Sequence, residues 1–406
     1  MLARSSKRKG FFFTVCYLAY MAVYTARINL SMAAPALKQM SILTGAQLGI
    51  LGSAFSIVYA VGRLINGTLS DRVRPSTMIF TGLLITGLSN LAFSMRQPFY
   101  GLFVFWVINA YGQSMLWSSL LCVMSGIFDV QAAKKANSYL VTSVASGNIA
   151  AILLSSFLLS RFDACWAFIV PGISSIAMGG VCLFVLGGVG SKCNMPVHEE
   201  PEKDVPASFA ELNRENPLAA ALIPTLCHGA IKDNVTLWMS VIAVERCGID
   251  LKQTAGFVLL IPTIGLLGRL LYPAFYRVCK NREHVLSCYA FAVCSIAAAA
   301  LLLFELTPFG VMLALGVLYA ASSMINTSMV SVYPTRFTSC GRLAAVSGLM
   351  DFVTYLGAGG ASVIYGQLAD HCGYEPMFGS WVAVSAVSIA VLVYLQRRIQ
   401  QTPPRK

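Results

Sequence analysis

The sequence predicts an all-α membrane protein: twelve transmembrane helices in two pseudo-symmetric bundles of six. Three observations carry that fold class. Only 11% of the 406 residues are charged and 57% are apolar, against about 25% charged in a soluble domain, so there are too few charges to cover a water-facing surface. The apolar residues gather into runs of about 18 or more, long enough to cross the hydrocarbon core as helices, and not into the short alternating segments of a β-barrel. Short motifs then recur between the two halves at offsets of 206 and 207 residues.

The first run, 11–36, follows the basic segment MLARSSKRKG; it is too long and too polar at its end for a cleaved signal peptide, so it reads as a span. The second, 46–69, leads into the polar turn GTLSDRVRP. Runs 77–94 and 99–128 follow, the latter containing YGQSMLWSS, and 137–160 and 166–188 close the first half around the turn SRFDACWAF. Residues 189–217 are rich in Pro and Glu and read as a linker, with ASFAELNRE as a short surface helix inside it. The second half gives runs at 218–243, 253–276, 284–304, 307–333, 343–369 and 375–396. The expected domains are therefore 1–188 and 218–406. The run Gly357 to Gly360 lies inside a span and lacks the Lys-Ser/Thr of a phosphate loop, so it reads as close helix packing.

With the N-terminus cytoplasmic, twenty basic residues fall in cytoplasmic segments and five in outer loops, a positive-inside bias that puts both termini in the cytoplasm. The net charge of +12 is thus topology. No basic face on a soluble element exists for a nucleic-acid partner. The 12 cysteines are scattered, without metal-ligand spacing or a disulfide framework, and read as small hydrophobes. No nucleophile–base pair or metal cluster emerges, so neither an enzyme nor a bound cofactor is expected.

Four cations remain inside spans: Arg27, Arg63, Lys232 and Arg269. A charge at mid-bilayer depth is costly and usually faces a polar cavity. VGRLING at 61–67 matches LGRLLYP at 267–273, and Asp163 matches Asp370 in the turns after the fifth and eleventh spans. A duplicated six-helix unit with its site at the repeat interface is a transporter plan. Arg27 and Lys232 are 205 apart, one residue short of the repeat offset, and read as near-equivalents. Two such cations imply an anion site.

Gly67, Asp71 and Arg72 in the turn after the second span match the signature of the major facilitator superfamily; in the second half Pro273 and Arg277 replace the Gly and Asp. Within that superfamily the chain resembles the organophosphate:phosphate antiporters, over nearly its whole length. YTARINLSMAAPAL places Arg27 at the family's first-span arginine. IKDNVTLW places Lys232 at its seventh-span arginine, with Trp238 six residues on, and YAVGRLINGTLSDR places Arg63 at its second-span lysine. YGQSMLWSS, with Gln113 and Trp117, resembles its Gly/Gln-rich fourth span, and the eleventh span matches its glycine pattern. The chain departs at Ile28, where the family often has lysine, at Ser146, where some members have histidine, and at Lys232, a point charge that cannot grip phosphate bidentately. The resemblance thus implies a major facilitator fold and a secondary transporter of a small anion, with a carboxylate or a different phosphate ester equally open.

Tyr24, Tyr20 and Tyr17 share a helix face with Arg27, offering rings and hydroxyls to a polar ligand. A structural arginine paired within the bundle is the other reading. Thr225, His228 and Thr236 share a face with Lys232, which reads as cavity-lining. Asp233 is positioned to neutralise Lys232 through another helix, and His228 is either a packing group or a proton-coupling one. Counted from the cytoplasmic side, Asp351 lies about two turns into the eleventh span and Arg63 similarly deep in the second, two helices that the resemblance brings together; the expectation is a contact closing the cytoplasmic side. Alternatively Asp351 carries a proton. Arg269, the repeat-mate of Arg63, has the same gating expectation. The implied partners are a small anionic substrate, a counter-anion or proton, and the bilayer, with the chain a monomer in the plasma (inner) membrane. Competing readings are a proton-coupled carrier of another solute and a membrane sensor that binds an anion without flux.

Overall fold

The protein is described by a computed structural model covering residues 2–70, 72–95, 97–188, 213, 217–337 and 342–401. Among these residues every regular element is helical, and nine helices are long and apolar enough to cross a membrane. The chain sorts into two compact units, Met1–Val197 with Ile249–Leu259, and His198–Gly248 with Leu260–Lys406. The expected linker 189–217 lies outside the described residues except for 213 and 217.

The first unit holds α1 (Leu2–Gln39), α2 (Gly45–Leu69), α3 (Pro75–Phe93), α4 (Phe99–Ser114), α5 (Leu116–Ile127), α6 (Val130–Leu140), α7 (Thr142–Arg161) and α8 (Trp166–Leu186). The expected fourth span is divided at Met115 into α4 and α5, and the fifth begins in α6 and continues as α7 beyond Val141. Helix α1 pairs with α7 and α8, α2 with α4, and α3 with α4 and α8. Their core joins Cys16, Ala19 and Val23 of α1 to Ile79 and Leu83 of α3, Leu116 and Leu120 of α5, and Leu186 of α8.

Helix α2 starts at a capping box. Thr44 Oγ1 accepts from the Gln47 backbone N–H at 3.1 Å, and Gln47 Oε1 accepts from the Thr44 N–H at 3.0 Å, so two of the four orphan donors of the helix end are satisfied. Thr44→Ala is expected to cost about 1 kcal/mol, read as a small drop in the thermal midpoint of the purified protein.

The second unit holds α9 (Leu218–Val241), α11 (Leu260–Val278), α12 (Glu283–Leu303), α13 (Pro308–Asn326), α14 (Leu343–His371) and α15 (Glu375–Gln401). The short α10 (Thr254–Val258) sorts with the first unit, where it packs on α7. Helix α9 pairs with α14 and α15, α11 with α13, and α12 with α13 and α15, the same set of pairings as in the first unit. π turns extend α9 (Ile242–Arg246) and α13 (Thr327–Val332), the latter followed by a 3-10 turn, Tyr333–Phe337.

The π turn after α9 is fastened to α12 and to the start of α15. Arg246 Nη2 donates to the Leu301 carbonyl at 2.8 Å, Arg246 Nε lies 3.5 Å from Glu375, and the guanidinium sits 4.8 Å from the centre of the Phe378 ring. The Tyr374 hydroxyl donates to Glu245 at 2.6 Å; burial first, and that bond second, push the phenol's pKa above its ordinary value. At the other end of α12, Glu283 pairs with Arg336 of the 3-10 turn, which ties α12 to the chain leaving α13.

Close backbone approach follows glycine in both units. A Cβ on Gly147 (α7) would meet Met21 and Tyr24 of α1, and one on Gly357 (α14) would meet the backbone of Leu226 in α9. A Cβ on Gly62 (α2) would meet Ser114, and one on Gly268 (α11) would meet Ala320. Small residues that admit another helix in this way set helix register in a membrane. The reading of the eleventh-span glycines as packing elements holds for Gly357, whereas a Cβ on Gly360 would meet nothing within 4 Å among the described residues. Nine described cysteines, from Cys16 to Cys372, are free thiols.

Candidate functional site

The internal contacts of each unit fix the repeat register. In the first unit Gly147 meets Tyr24, and in the second Thr354, the counterpart of Gly147 at the 207-residue offset of these spans, meets Gly229. Arg27 stands three residues beyond Tyr24, and Lys232 three beyond Gly229. The two cations therefore occupy the same position on equivalent helices, which removes the one-residue slip left by the motif offsets. Likewise Arg63 follows Gly62 and Arg269 follows Gly268, both glycines being packed on equivalent helix pairs.

In the first unit Arg27 is half-buried among aromatic rings. Its guanidinium carbon lies 4.6 Å from the ring centre of Phe55, 5.1 Å from Tyr59 and 6.0 Å from Tyr24. Such faces attract a cation by their quadrupole and restrain its plane. Tyr59 also faces Arg63 at 5.8 Å, so one ring lies near two guanidinium groups. From Tyr24 the aromatic chain continues to Tyr20 (5.5 Å, edge-on) and from Tyr20 to Trp117 (5.1 Å). Tyr17 turns aside to Ser146, 2.8 Å away, and Thr142, 3.2 Å. The structure thus unites Arg27, Tyr24, Tyr20, Trp117 and Arg63 and adds Phe55 and Tyr59, which sequence reasoning missed. Phe55, Tyr59 and Arg63 fall at intervals of four on α2, so the one-face spacing was the available signal.

Behind Arg27 lies a cluster of side-chain amides. Asn109 and Gln113 of α4 each donate to the Ala26 carbonyl at 3.2 Å, and Asn90 of α3 reaches it at 3.4 Å. Asn29 donates to Asn90 at 2.7 Å and to the Ala167 carbonyl of α8 at 3.1 Å. All four amides are fully buried. Paired polar groups of this kind lock helix positions in an apolar interior, and here they converge on the carbonyl preceding Arg27. Gln113, expected to touch substrate, is instead a fully buried group fastening α4 to α1.

In the second unit Lys232 Nζ lies 3.3 Å from Oδ1 of Asp233, with both side chains mostly buried. The acid therefore reaches Lys232 from the same helix, not through a neighbour. Thr225 and His228, expected to line a cavity, are corrected by their full burial: Thr225 Oγ1 donates to the Ala221 carbonyl at 2.7 Å, and His228 bridges α9 to α13. His228 Nδ1 lies 2.9 Å from the Thr225 carbonyl and Nε2 lies 3.2 Å from the Asn326 side-chain amide. A neutral ring satisfies both if Nδ1–H donates to the carbonyl and the Asn326 amide turns its NH2 to Nε2. Arg269 and Asp351 are half-buried in α11 and α14, Arg72 is exposed, and Asp71 lies outside the described residues.

The profile of the Major Facilitator Superfamily matches residues 16–362. A probable hexose phosphate transport protein of Chlamydia muridarum (strain MoPn / Nigg) is 29% identical over 46% of this chain and 41% of its own length; the chain thus matches about two-fifths of that relative. A glycerol-3-phosphate transporter of Haemophilus influenzae is 23% identical over 94% of this chain and 89% of its own. Among solved structures, a bacterial homologue of the human lysosomal transporter Spinster, inward-facing and occupied, superposes with a TM-score of 0.74 at 14% identity, covering 98% of both chains, a likeness of fold alone. Taken with the apolar helices, these matches make the protein a multi-pass membrane protein, and the chain belongs to the Major Facilitator Superfamily.

Proposed function

We propose that this chain is a secondary transporter that moves a small organophosphate anion, of the sugar phosphate or glycerol phosphate class, by alternating access. In this reading twelve spans form two six-helix bundles, residues 189–217 link them, both termini face the cytoplasm, and the chain works as a monomer in the inner membrane. Each unit supplies one anion-binding cation, Arg27 and Lys232, with Tyr24, Tyr20 and Trp117 beside the first. The observation that carries the proposal is that these two cations hold the same repeat position, three residues past equivalent helix contacts. The names of the relatives support phosphate esters as cargo. An anion that binds both cations relieves their mutual repulsion and has a differential affinity for the state that brings its ligands together, which is what drives reorientation. Phosphate is the counter-substrate, while Arg63, Arg269 and Asp351 act in gating.

Proteoliposomes preloaded with inorganic phosphate test this. Labelled glycerol 3-phosphate is expected to enter loaded vesicles and to stay out of empty ones. Equal entry into empty vesicles sinks obligatory exchange, and saturable binding with no flux sinks transport in favour of the sensor reading.

A further inference from the structure

Lys232 and Asp233 form a pair with one unused end. Asp233 Oδ1 faces the Lys232 ammonium at 3.3 Å, whereas Oδ2 is buried and has no hydrogen-bond partner among the described residues. A carboxylate oxygen withdrawn from water and left without a donor is unfavourable, and the deficit disappears when a donor reaches it. Lys232 itself carries three donors, of which the contact with Oδ1 occupies one. The two neighbours on α9 therefore present an ammonium and a bare carboxylate oxygen side by side, a positive and a negative contact on adjacent residues. A purely anionic ligand approaching Lys232 meets the like charge of Asp233. A ligand carrying an anion and a protonated amine meets complementary charge at both.

From this we propose that Asp233 determines specificity: the subsite at Lys232–Asp233 takes a zwitterion, a phosphate monoester bearing a protonated amine, with the anion on Lys232 and an amine N–H donating to Asp233 Oδ2. This rests on the reading above that Lys232 meets the substrate anion, and it narrows the substrate class within that reading. It also gives a physical role to the departure from a seventh-span arginine. A compact ammonium, with one of its three donors already held by its neighbour, suits an ester whose charge is balanced within the ligand, whereas a bidentate guanidinium suits a dianion.

Binding of three probes to the purified full chain by calorimetry tests the proposal: ethanolamine phosphate, glycerol 3-phosphate and choline phosphate. The wild type is expected to bind ethanolamine phosphate about tenfold more tightly than glycerol 3-phosphate, since a site built to receive a donor rejects analogues lacking it. Choline phosphate keeps the positive charge but has no N–H, and is expected to bind more weakly than ethanolamine phosphate. In Asp233→Asn the amine preference is expected to vanish while glycerol 3-phosphate binding persists or tightens. A wild type that binds glycerol 3-phosphate as well as ethanolamine phosphate overturns the proposal, as does an amine preference that survives Asp233→Asn. The ligand comparison on the wild type stands even if that variant does not fold. Lys232→Ala separates the two levels. Loss of all three ligands in Lys232→Ala with no amine preference in the wild type overturns the zwitterion alone; undiminished binding in Lys232→Ala overturns the placement of the anion and the zwitterion with it.

Discussion

Arg27→Ala is expected to lower anion affinity about a hundredfold and to stop exchange in proteoliposomes. The magnitude follows from losing a charge-assisted contact in a site shielded from water, about 1.5–3 kcal/mol, for the cation that Phe55, Tyr59 and Tyr24 surround. Arg27→Lys separates charge from geometry. It keeps one positive charge, but the flexible ammonium loses the planar stacking and the bidentate grip. A loss of about tenfold is expected, in line with the roughly 1–2 kcal/mol of a desolvated cation–π contact. Phe55→Leu keeps the arginine and removes the nearest ring, so its effect should fall between the wild type and Arg27→Lys. Phosphate and glycerol 3-phosphate binding by calorimetry gives all three values on one scale. If Arg27→Lys matches the wild type, the rings do not orient the guanidinium for binding. If Arg27→Ala binds normally, Arg27 is not an anion ligand, and its aromatic surroundings serve packing alone.

The parts of this arrangement legible in the sequence are those where a residue violates its local background. Arg27, Arg63, Lys232 and Arg269 stand out because they are charges in apolar runs, and the helices themselves are visible because membrane spans are long and nearly uncharged. Phe55 and Tyr59 do not stand out, because aromatic residues are ordinary in such a helix. Their meaning appears only when α1 places Arg27 against them. The amide cluster of Asn29, Asn90, Asn109 and Gln113 is illegible for a related reason. They lie on three different helices, and only folding brings Asn90, Asn109 and Gln113 to the Ala26 carbonyl and Asn29 to Asn90. The breaks at Met115, Val141 and Leu259 leave no mark in hydropathy, because apolar residues continue through them. The sequence suggests that Asp233 pairs through another helix, because adjacent side chains diverge by about 100° around a helix. The long lysine stem bends back far enough to close that angle. The equivalence of Arg27 and Lys232 is visible in the sequence only to within one residue, since no motif lies close to either, and the close contacts of Tyr24 with Gly147 and of Gly229 with Thr354 supply the missing anchor.

That anchor makes Gly229→Ala the most informative test of the second unit. A Cβ at Gly229 would fall within the contact radius of the Thr354 carbonyl oxygen, and of the carbonyl carbon behind it. The obstacle is main chain, so no side-chain rotation relieves it. Neither helix has room to slide. One turn before Gly229, the Leu226 carbonyl is held against Gly357, and beyond it Asn234 Nδ2 donates to the Ala358 carbonyl at 3.1 Å. The α9–α14 pair is therefore pinned on both sides of the new methyl, and overpacking of this kind costs about 3 kcal/mol. Gly360→Ala, on α14 with no described residue near its side-chain position, is expected to leave stability unchanged or to raise it slightly through helix propensity. Thermal unfolding of both variants in detergent makes the comparison, with the partner helix carrying the control. The result bears on the site as well as on stability. The register that pairs Lys232 with Arg27 depends on the Gly229–Thr354 approach. If Gly229→Ala melts like Gly360→Ala, the two helices are not in backbone contact there, and the equivalence of the two cations loses its structural basis.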